Sequence, residues 1–518
     1  MATMERPPRD GGDFGTSPVR EMLKIALPSV LTMTSYTVMQ FIDALMVSRI
    51  QPADPVYVAA QGNGGIAIWL VVATVMGMLT VINTYVAQHL GAGRPERGSA
   101  YAWAAIWMSL VFALLIIPYA GVLPAVFRAQ DHAGALLELE TEYARIMALG
   151  AFMLTASRGL QHYFYGMHRP QIVMVAAFAG NVCNVFVNWV LIFGNLGAPE
   201  LGLAGAAWGT VAGVTVELLI PMVMFLGPGM HRAYQTRHFW RPSWRPVKDI
   251  VRLGWPGAAM FANEMICWTY LMTFLGPAGG RAAAAARGLG PEDIARAGEI
   301  ANSAGWAALR YMHMSFMPAV GVSIAVTALV GRSMGMKRPD LAAARARLGL
   351  KIAMWYMGLC AVIFLVFRAE LIAVFAPGNM DEPTRNQLIA VGAKIMIAAA
   401  VFQLFDAIAI TISGALRGAG DTIWPGVATV VLSWVCIVGG GHLMIALFPG
   451  LGEMGPWIAA SAYIMLLGVA LLWRYARGPW RGIDLVGRSE VAAGEAADAE
   501  GPGAETRTSA ALSEVPGG

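Results

Sequence analysis

The chain has 518 residues, of which 57% are hydrophobic and only 13% charged, with a mean hydropathy of +0.58 and a net charge of +4. Soluble domains are about 25% charged, so this balance excludes a large soluble enzyme, a disordered chain and a nucleic-acid binder. It fits a polytopic membrane protein, because roughly 20 apolar residues span a bilayer and the length leaves room for about a dozen such stretches.

In chain order, the first residues carry charges, Gly and Pro without an apolar core or an A-x-A site. They read as a cytoplasmic tail (1–20), not a signal peptide. Apolar runs between charged or Pro/Gly breaks then predict helices over 25–48, 56–88, 101–126, 143–166, 171–194, 201–226, 251–275, 301–331, 350–375, 388–413, 424–448 and 456–474. The longer ones imply tilt or kinks. Cys183, Cys267, Cys360 and Cys436 lie inside these runs with no CxxC pair, and read as small buried hydrophobes. The segment 276–299 reads as a long, partly helical outer loop. The tail 478–518, rich in Ala, Gly and Glu without apolar periodicity, reads as disordered.

Lys and Arg concentrate on one side of this layout. The linker 229–250 and its flank carry Arg232, Arg237, Arg241, Arg245, Lys248 and Arg252. The positive-inside rule places both termini in the cytoplasm, in the inner membrane if the cell is bacterial.

The two halves repeat. Lys24-Ile-Ala-Leu-Pro28 matches Arg252-Leu-Gly-Trp-Pro256, and Val86–Pro95 matches Val330–Pro339. Leu160–Pro170 matches Leu416–Pro425 more loosely, with all three in the same order. The expected fold is therefore all-α, with twelve transmembrane helices in two six-helix lobes (21–228 and 251–477). Parallel repeats of this kind enclose a central cavity and give alternating access by rocking.

Several stretches carry a family resemblance: Gly414-Ala-Leu-Arg-Gly-Ala-Gly-Asp421-Thr-Ile-Trp-Pro425, Asn181-Val-Cys-Asn184-Val-Phe-Val-Asn188, Ile192–Gly197 and Gly202–Thr210. As an ordered set they resemble the multidrug and toxic compound extrusion (MATE) family, in its NorM-like branch, from about Glu21 to Arg477. The resemblance implies an antiporter that expels cationic amphiphiles while Na+ or H+ enters. It implies no cofactor beyond the coupling ion, and no nucleic-acid partner. Substrates would be small organic cations, the solvent a lipid bilayer, and the working unit a monomer.

Carboxylates inside a membrane are expensive and mark function by default. Asp43, Glu264 and Asp406 are the cation-coupling candidates; the family carries an acid at each of these places. Asp43 also reads as an interfacial acid paired with Arg49. Polar neighbours are Gln40, Asn184, Asn188 and Gln403. Many family members have Asp where Asn188 stands, which leaves Asp43 as the one acid of the first lobe and shifts coupling to the second. The branch often has Tyr one turn before the Asp, where this chain has Phe402; its ring keeps a face for cation–π contact. A Na+ held at Glu264 and Asp406 and a proton carried there are both open. Tyr36, Met39, Trp268, Tyr270 and Met272 are candidate apolar cavity residues. Arg417 and Asp421 read as a brace within a loop.

No phosphate-binding loop, nucleophile elbow or metal-hydrolase signature is present. A membrane enzyme would need clustered catalytic groups. A flippase for lipid-linked oligosaccharides would need a basic cavity; Arg158 and Arg310 are the only mid-span bases, and both read as helix-end residues. A dedicated metabolite exporter is a narrower form of the antiporter.

Overall fold

The structure, a computed structural model, describes residues 17–487 apart from 53, 55 and 377–379. Twelve helical rods follow one another. In the first half they are α1 (Pro18–Val47), α2 (Val56–Gly91), α3 (Pro95–Arg128), α4 (Gly134–Leu149 continued by Ala151–Gly166), α5 (Pro170–Phe193) and α6 (Leu203–Leu226). In the second half they are α7 (Trp244–Tyr270, a π-helical turn Leu271–Leu275, then Gly276–Ala286), α8 (Pro291–Gly335), α9 (Pro339–Val366), α10 (Glu382–Ala419), α11 (Ile423–Leu447) and α12 (Met454–Arg477). Ten of them are long and apolar enough to cross a membrane. The other two are α4, which carries Glu138, Glu140, Glu142, Arg145 and Arg158, and α7, which carries Arg245, Lys248, Asp249, Arg252 and Glu264.

The repeat is visible in backbone geometry. Three rods end in the same turn and restart on Pro: Gly93-Arg94-Pro95, His168-Arg169-Pro170 and Lys337-Arg338-Pro339. Gly93, His168 and Lys337 are left-handed (φ 74°, 57° and 56°). The following Arg amide reaches back to the carbonyl of His89, Phe164 or Ser333 at 2.9, 2.9 and 3.0 Å. This is the Schellman closure of a helix end, and Pro at the first helical position starts the next rod without losing a hydrogen bond. The turn after α10 uses Gly420 (φ 95°) in the same way, with the Asp421 amide on the Leu416 carbonyl. All four turns lie at one end of the bundle, together with Arg94, Arg169, Arg245, Arg338 and Arg417. We call it the basic end.

The second lobe has one continuous apolar core, which includes Cys267, Leu271, Phe402, Trp457 and Trp480 and also takes in Met22, Ile25 and Ala26 from the start of α1. The first lobe has a core around Ile82, Tyr163, Phe164 and Phe225, and two smaller clusters around Tyr143 and around Ile116. The lobes meet where α1 packs on α8 and α2 on α7. Small residues permit this. A methyl on Gly77 would sit 2.6 Å from the Gly257 carbonyl oxygen, and one on Gly321 would sit 2.6 Å from the Val30 backbone. Hydrogen bonds between the lobes run from Gln88 to the Gly418 carbonyl (3.0 Å), Thr84 to the Arg417 carbonyl (2.9 Å), Asn83 to the Ile324 carbonyl (3.3 Å) and Tyr101 to Asp249 (2.9 Å). Glu21 adds ion pairs with Arg332 and Arg345. These ties gather at the basic end.

Three expectations are corrected. The outer loop 276–299 is nearly all helix, because α7 runs to Ala286 and α8 starts at Pro291; the Ala-rich stretch is simply a strong helix former. The linker 229–250 is shorter, with a helix at Pro228–Tyr234 and α7 beginning at Trp244. The tail does not leave the fold at 478: Trp480 is buried, stacks on Tyr475 at 5.0 Å, and Ile483 and Leu485 lie against Gly420. The rest of the tail, 488–518, and residues 1–16 lie outside the described residues.

Candidate functional site

In the first lobe, Asp43 of α1 meets α5. Asn188 Nδ2 donates to Asp43 Oδ1 at 2.6 Å and to Asn184 Oδ1 at 2.9 Å. Asn184 and Asn188 are four residues apart and so share a helix face. Asn184 Nδ2 continues to Thr210 Oγ1 of α6 at 3.4 Å. Tyr143 of α4 stands by Thr210 and Gln61 within electrostatic reach of Asp43. Asp43 thus has Asn188 as its partner in place of the Arg49 pairing considered from sequence. Asn188 Oδ1 is buried without a partner, which leaves an acceptor beside the carboxylate. Gln40, one turn earlier on α1, is exposed.

Asp43 is not the only acid of this lobe. Glu217 of α6 is 4% exposed and accepts from Tyr36 Oη of α1 and from Gln161 Nε2 (2.7 Å). Arg158 of α4 lies 3.7 Å from Glu217, donates to Gln161 Oε1 at 2.9 Å, and sits 4.2 Å above the Tyr36 ring. Arg158 is therefore inside the lobe, not at a helix end. A second acid, Glu140 of α4, is 0% exposed and is held by His132 and Asn63. Neither stands out in sequence: Glu217 is a single acid in an apolar run, and Glu140 lies between Glu138 and Glu142 in a charged stretch. The signal available for Glu217 was Arg158, a base that an apolar helix holds only beside a counter-charge.

In the second lobe, Glu264 (α7) and Asp406 (α10) are half-buried and within electrostatic reach of each other. Arg417, eleven residues along α10, is in reach of Glu264. It lines a crevice between the lobes with Thr80, Gly257, Met260, Phe261 and Ser413. His162 of α4, one turn after Arg158 on the same helix, is in reach of Arg417 from the other lobe. The expected Arg417–Asp421 brace is not formed: Asp421 Oδ2 accepts from Arg474 Nε of α12 at 2.8 Å. The turn at Gly420 separates the two side chains, so the helical i,i+4 rule does not apply across it.

The neighbours of Glu264 fix its rotation. Asn263 donates to Ser433 Oγ (2.7 Å) and accepts from Trp434 Nε1 (2.8 Å), both in the π-helical turn Ser433–Gly440 of α11. Such turns recur at functional sites. Gln403 is buried and donates to Ser315 Oγ of α8 at 2.8 Å. Phe402 is 2% exposed and packs in the core. Tyr463 of α12 reaches Glu264 and Asp406, and its hydroxyl is buried with no hydrogen-bond partner. It brings a phenol to the acid pair from a different helix than the one where the family pattern has it. Of the aromatic candidates, Tyr36 joins Glu217, Trp268 lies against Trp457 (6.4 Å), and Tyr270 bonds His442 (2.9 Å). Met39 and Met272 are buried.

Against known proteins, the MatE family model matches residues 28–190 and 293–440. A "Probable multidrug resistance protein NorM" of Mesorhizobium japonicum is 26% identical over 92% of this chain and 97% of its own length. A "Multidrug resistance protein PmpM" of Pseudomonas aeruginosa is 28% identical over 80% of this chain and 82% of its own. The fold is similar to a solved outward-facing multidrug resistance MATE family transporter of the MOP superfamily. The TM-score is 0.76 at 22% identity, covering 89% of this chain and 96% of that one.

Proposed function

Since the chain belongs to the MatE family, we propose that it is a secondary active antiporter that exports cationic amphiphilic compounds in exchange for Na+ or H+ across a bacterial inner membrane. The observation that carries the reading is the Glu264–Asp406 pair: two acids within electrostatic reach of each other in one lobe, with Tyr463 in reach of both and Arg417 in reach of Glu264. Two like charges in a poorly solvated site favour uptake of a cation or a proton. The oxygens of Glu264, Asp406 and Tyr463 suit either one. An organic cation drawn to the same charge competes with the coupling ion, and that competition is the antiport step.

Positive-inside topology puts the basic end, and both termini, in the cytoplasm. Since the ties between the lobes gather there, this is the outward-open state, in which the coupling ion enters and the substrate leaves. Return to the inward-open state requires breaking Tyr101–Asp249, Gln88–Gly418 and the Glu21 pairs. The Asp43–Asn188 site is a second ion-sensing point in the other lobe. The acid pair Glu264 and Asp406 does not suit the anionic headgroup of a lipid-linked oligosaccharide.

The test is transport of ethidium by purified protein in liposomes under a Na+ gradient or a pH gradient, one at a time. Uptake driven by either supports the proposal and identifies the ion. No uptake under either overturns it.

A further inference from the structure

The segment that joins the lobes is fastened along the outside of the first one, and the antiport reading gives it no task. Ser99, Trp103 and Trp107 follow one another at four-residue spacing on one face of α3. Each donates to a backbone carbonyl of the segment: Ser99 Oγ to Tyr234 (3.0 Å), Trp103 Nε1 to Thr236 (2.7 Å) and Trp107 Nε1 to Trp240 (2.9 Å). Eight residues of helix rise about 12 Å, so this strap climbs that far up α3 from the basic end. Arg169 holds its start, with the guanidinium 5.5 Å above the Tyr234 ring. The chain then crosses to the other side of α3. There α7 starts at Trp244, and Asp249 accepts from Tyr101 at 2.9 Å. Two residues apart on a helix means about 200° of rotation, so Tyr101 and Trp103 face opposite ways.

This flank of α3 faces lipid: Leu110 and Val111, three and four residues after Trp107, are exposed. Beside it Trp240 and Trp244 stand bare, 52% and 76% exposed. Indoles at the end of a membrane helix settle at headgroup level. The charge here has one sign. Arg232, Arg237, Arg241, Arg245 and Lys248 are exposed, and no Asp or Glu occurs between Glu217 and Asp249. Arg237 is fixed by Nε on the Leu226 carbonyl at 2.8 Å, and the Arg241 guanidinium lies 5.8 Å from the Trp240 ring centre. Bases and indoles thus alternate along the strap. A partner that matches both carries an anionic group next to a long apolar body, at the depth of the bilayer surface. An anionic phospholipid has that chemistry.

We propose that the strap 236–248 binds an anionic phospholipid of the leaflet at the basic end. The headgroup takes its counter-charges from Arg241 and Lys248, and the acyl chains run along Trp240, Trp244 and the apolar flank of α3. Arg241 follows the residue that Trp107 ties to the first lobe, whereas Lys248 belongs to α7 of the second. The lipid therefore touches both lobes at their joint. The proposal goes beyond the antiport reading and needs only that the chain spans a bilayer.

The test is quenching of tryptophan fluorescence in the full-length protein, reconstituted in phosphatidylcholine liposomes. Phosphatidylglycerol or phosphatidylcholine, each brominated near the headgroup end of its chains, replaces a rising share of the lipid. The wild type should be quenched at a several-fold lower share of the anionic lipid than of the neutral one. A Lys or Arg near the surface is worth about fivefold in binding an anionic lipid. The double variant Arg241→Gln with Lys248→Gln therefore binds roughly thirtyfold more weakly and loses the difference. Arg241→Lys, which keeps the charge, retains it. Trp240→Phe with Trp244→Phe also loses it, because the reporters are gone. Equal quenching by the two lipids in the wild type overturns the proposal. So does a difference that persists in either double variant, or one that Arg241→Lys abolishes. Displacement by millimolar glycerol phosphate or by a short oligonucleotide marks a site for a soluble anion and overturns it as well. No transport enters the readout, so a failure of the antiport reading in the ethidium assay leaves this result standing, and the reverse.

Discussion

Removing Glu217 tests whether the buried charges of the first lobe act as a matched unit. Arg158 and Glu217 lie 3.7 Å apart with side chains 14% and 5% exposed. At an effective dielectric near 20 their attraction is about 4–5 kcal/mol, largely offset in the intact pair by the loss of hydration. The single substitution Glu217→Met leaves Arg158 charged, buried and unmatched, a situation that costs about 3–5 kcal/mol. Arg158→Met does the same to Glu217. Replacing both by Met removes both charges and recovers most of the loss, because paired charges and well-packed apolar groups are close in energy. The assay is thermal unfolding of the detergent-purified proteins, read as a double-mutant cycle. The expected coupling is about 5–9 kcal/mol, seen as a drop of several degrees in each single variant and near-recovery in the double. Single variants indistinguishable from wild type, or strictly additive losses, refute the argument that this network is desolvated and matched.

Tyr463→Phe deletes a buried hydroxyl with no partner, so stability holds or rises by about 1 kcal/mol while ion-driven ethidium transport falls several-fold; a stability loss contradicts the role given to the phenol. Gly77→Val places a methyl against the Gly257 backbone, which cannot yield. It should part the lobes at the basic end and speed thiol labelling of Ser413→Cys in the crevice, and unchanged labelling contradicts this. Asp381 caps α10: hydrogen bonds from Thr384, with Arg296 beside them, hold its carboxyl below the ordinary range. A lowered value means its stabilisation is present above the ordinary carboxylate range and is lost as pH falls through the lowered one. The gap in unfolding temperature between wild type and Asp381→Ala should therefore close only in strong acid, and a gap independent of pH argues against the capping charge.

The helices were legible because an apolar run of the right length in this composition has one stable solution, and the lobes because the Arg-Pro turns recur in order. The acids Asp43, Glu264 and Asp406 were legible as charges inside apolar runs. Their surroundings were not, because they are built across helices distant in sequence. Tyr463 joins Asp406 from α12, Glu217 joins Tyr36 over 181 positions, and Arg474 takes Asp421 away from Arg417. The Arg417–Asp421 expectation placed the turn at Gly420 but missed the partner, because Arg474 reaches Asp421 from α12. Gln403 shares a helix face with Asp406, yet Ser315 of α8 binds it inside the core.

The central claim is that the coupling ion and the substrate compete at Glu264 and Asp406. It is tested most directly by displacing a bound organic cation, tetraphenylphosphonium, from the purified protein with Na+ or with acid, and repeating this in the double variant Glu264→Gln with Asp406→Asn. The account predicts displacement by one of the two ions in the wild type and its loss in the double variant. Displacement of equal strength in both would contradict it and move the coupling site to Asp43 and its neighbours.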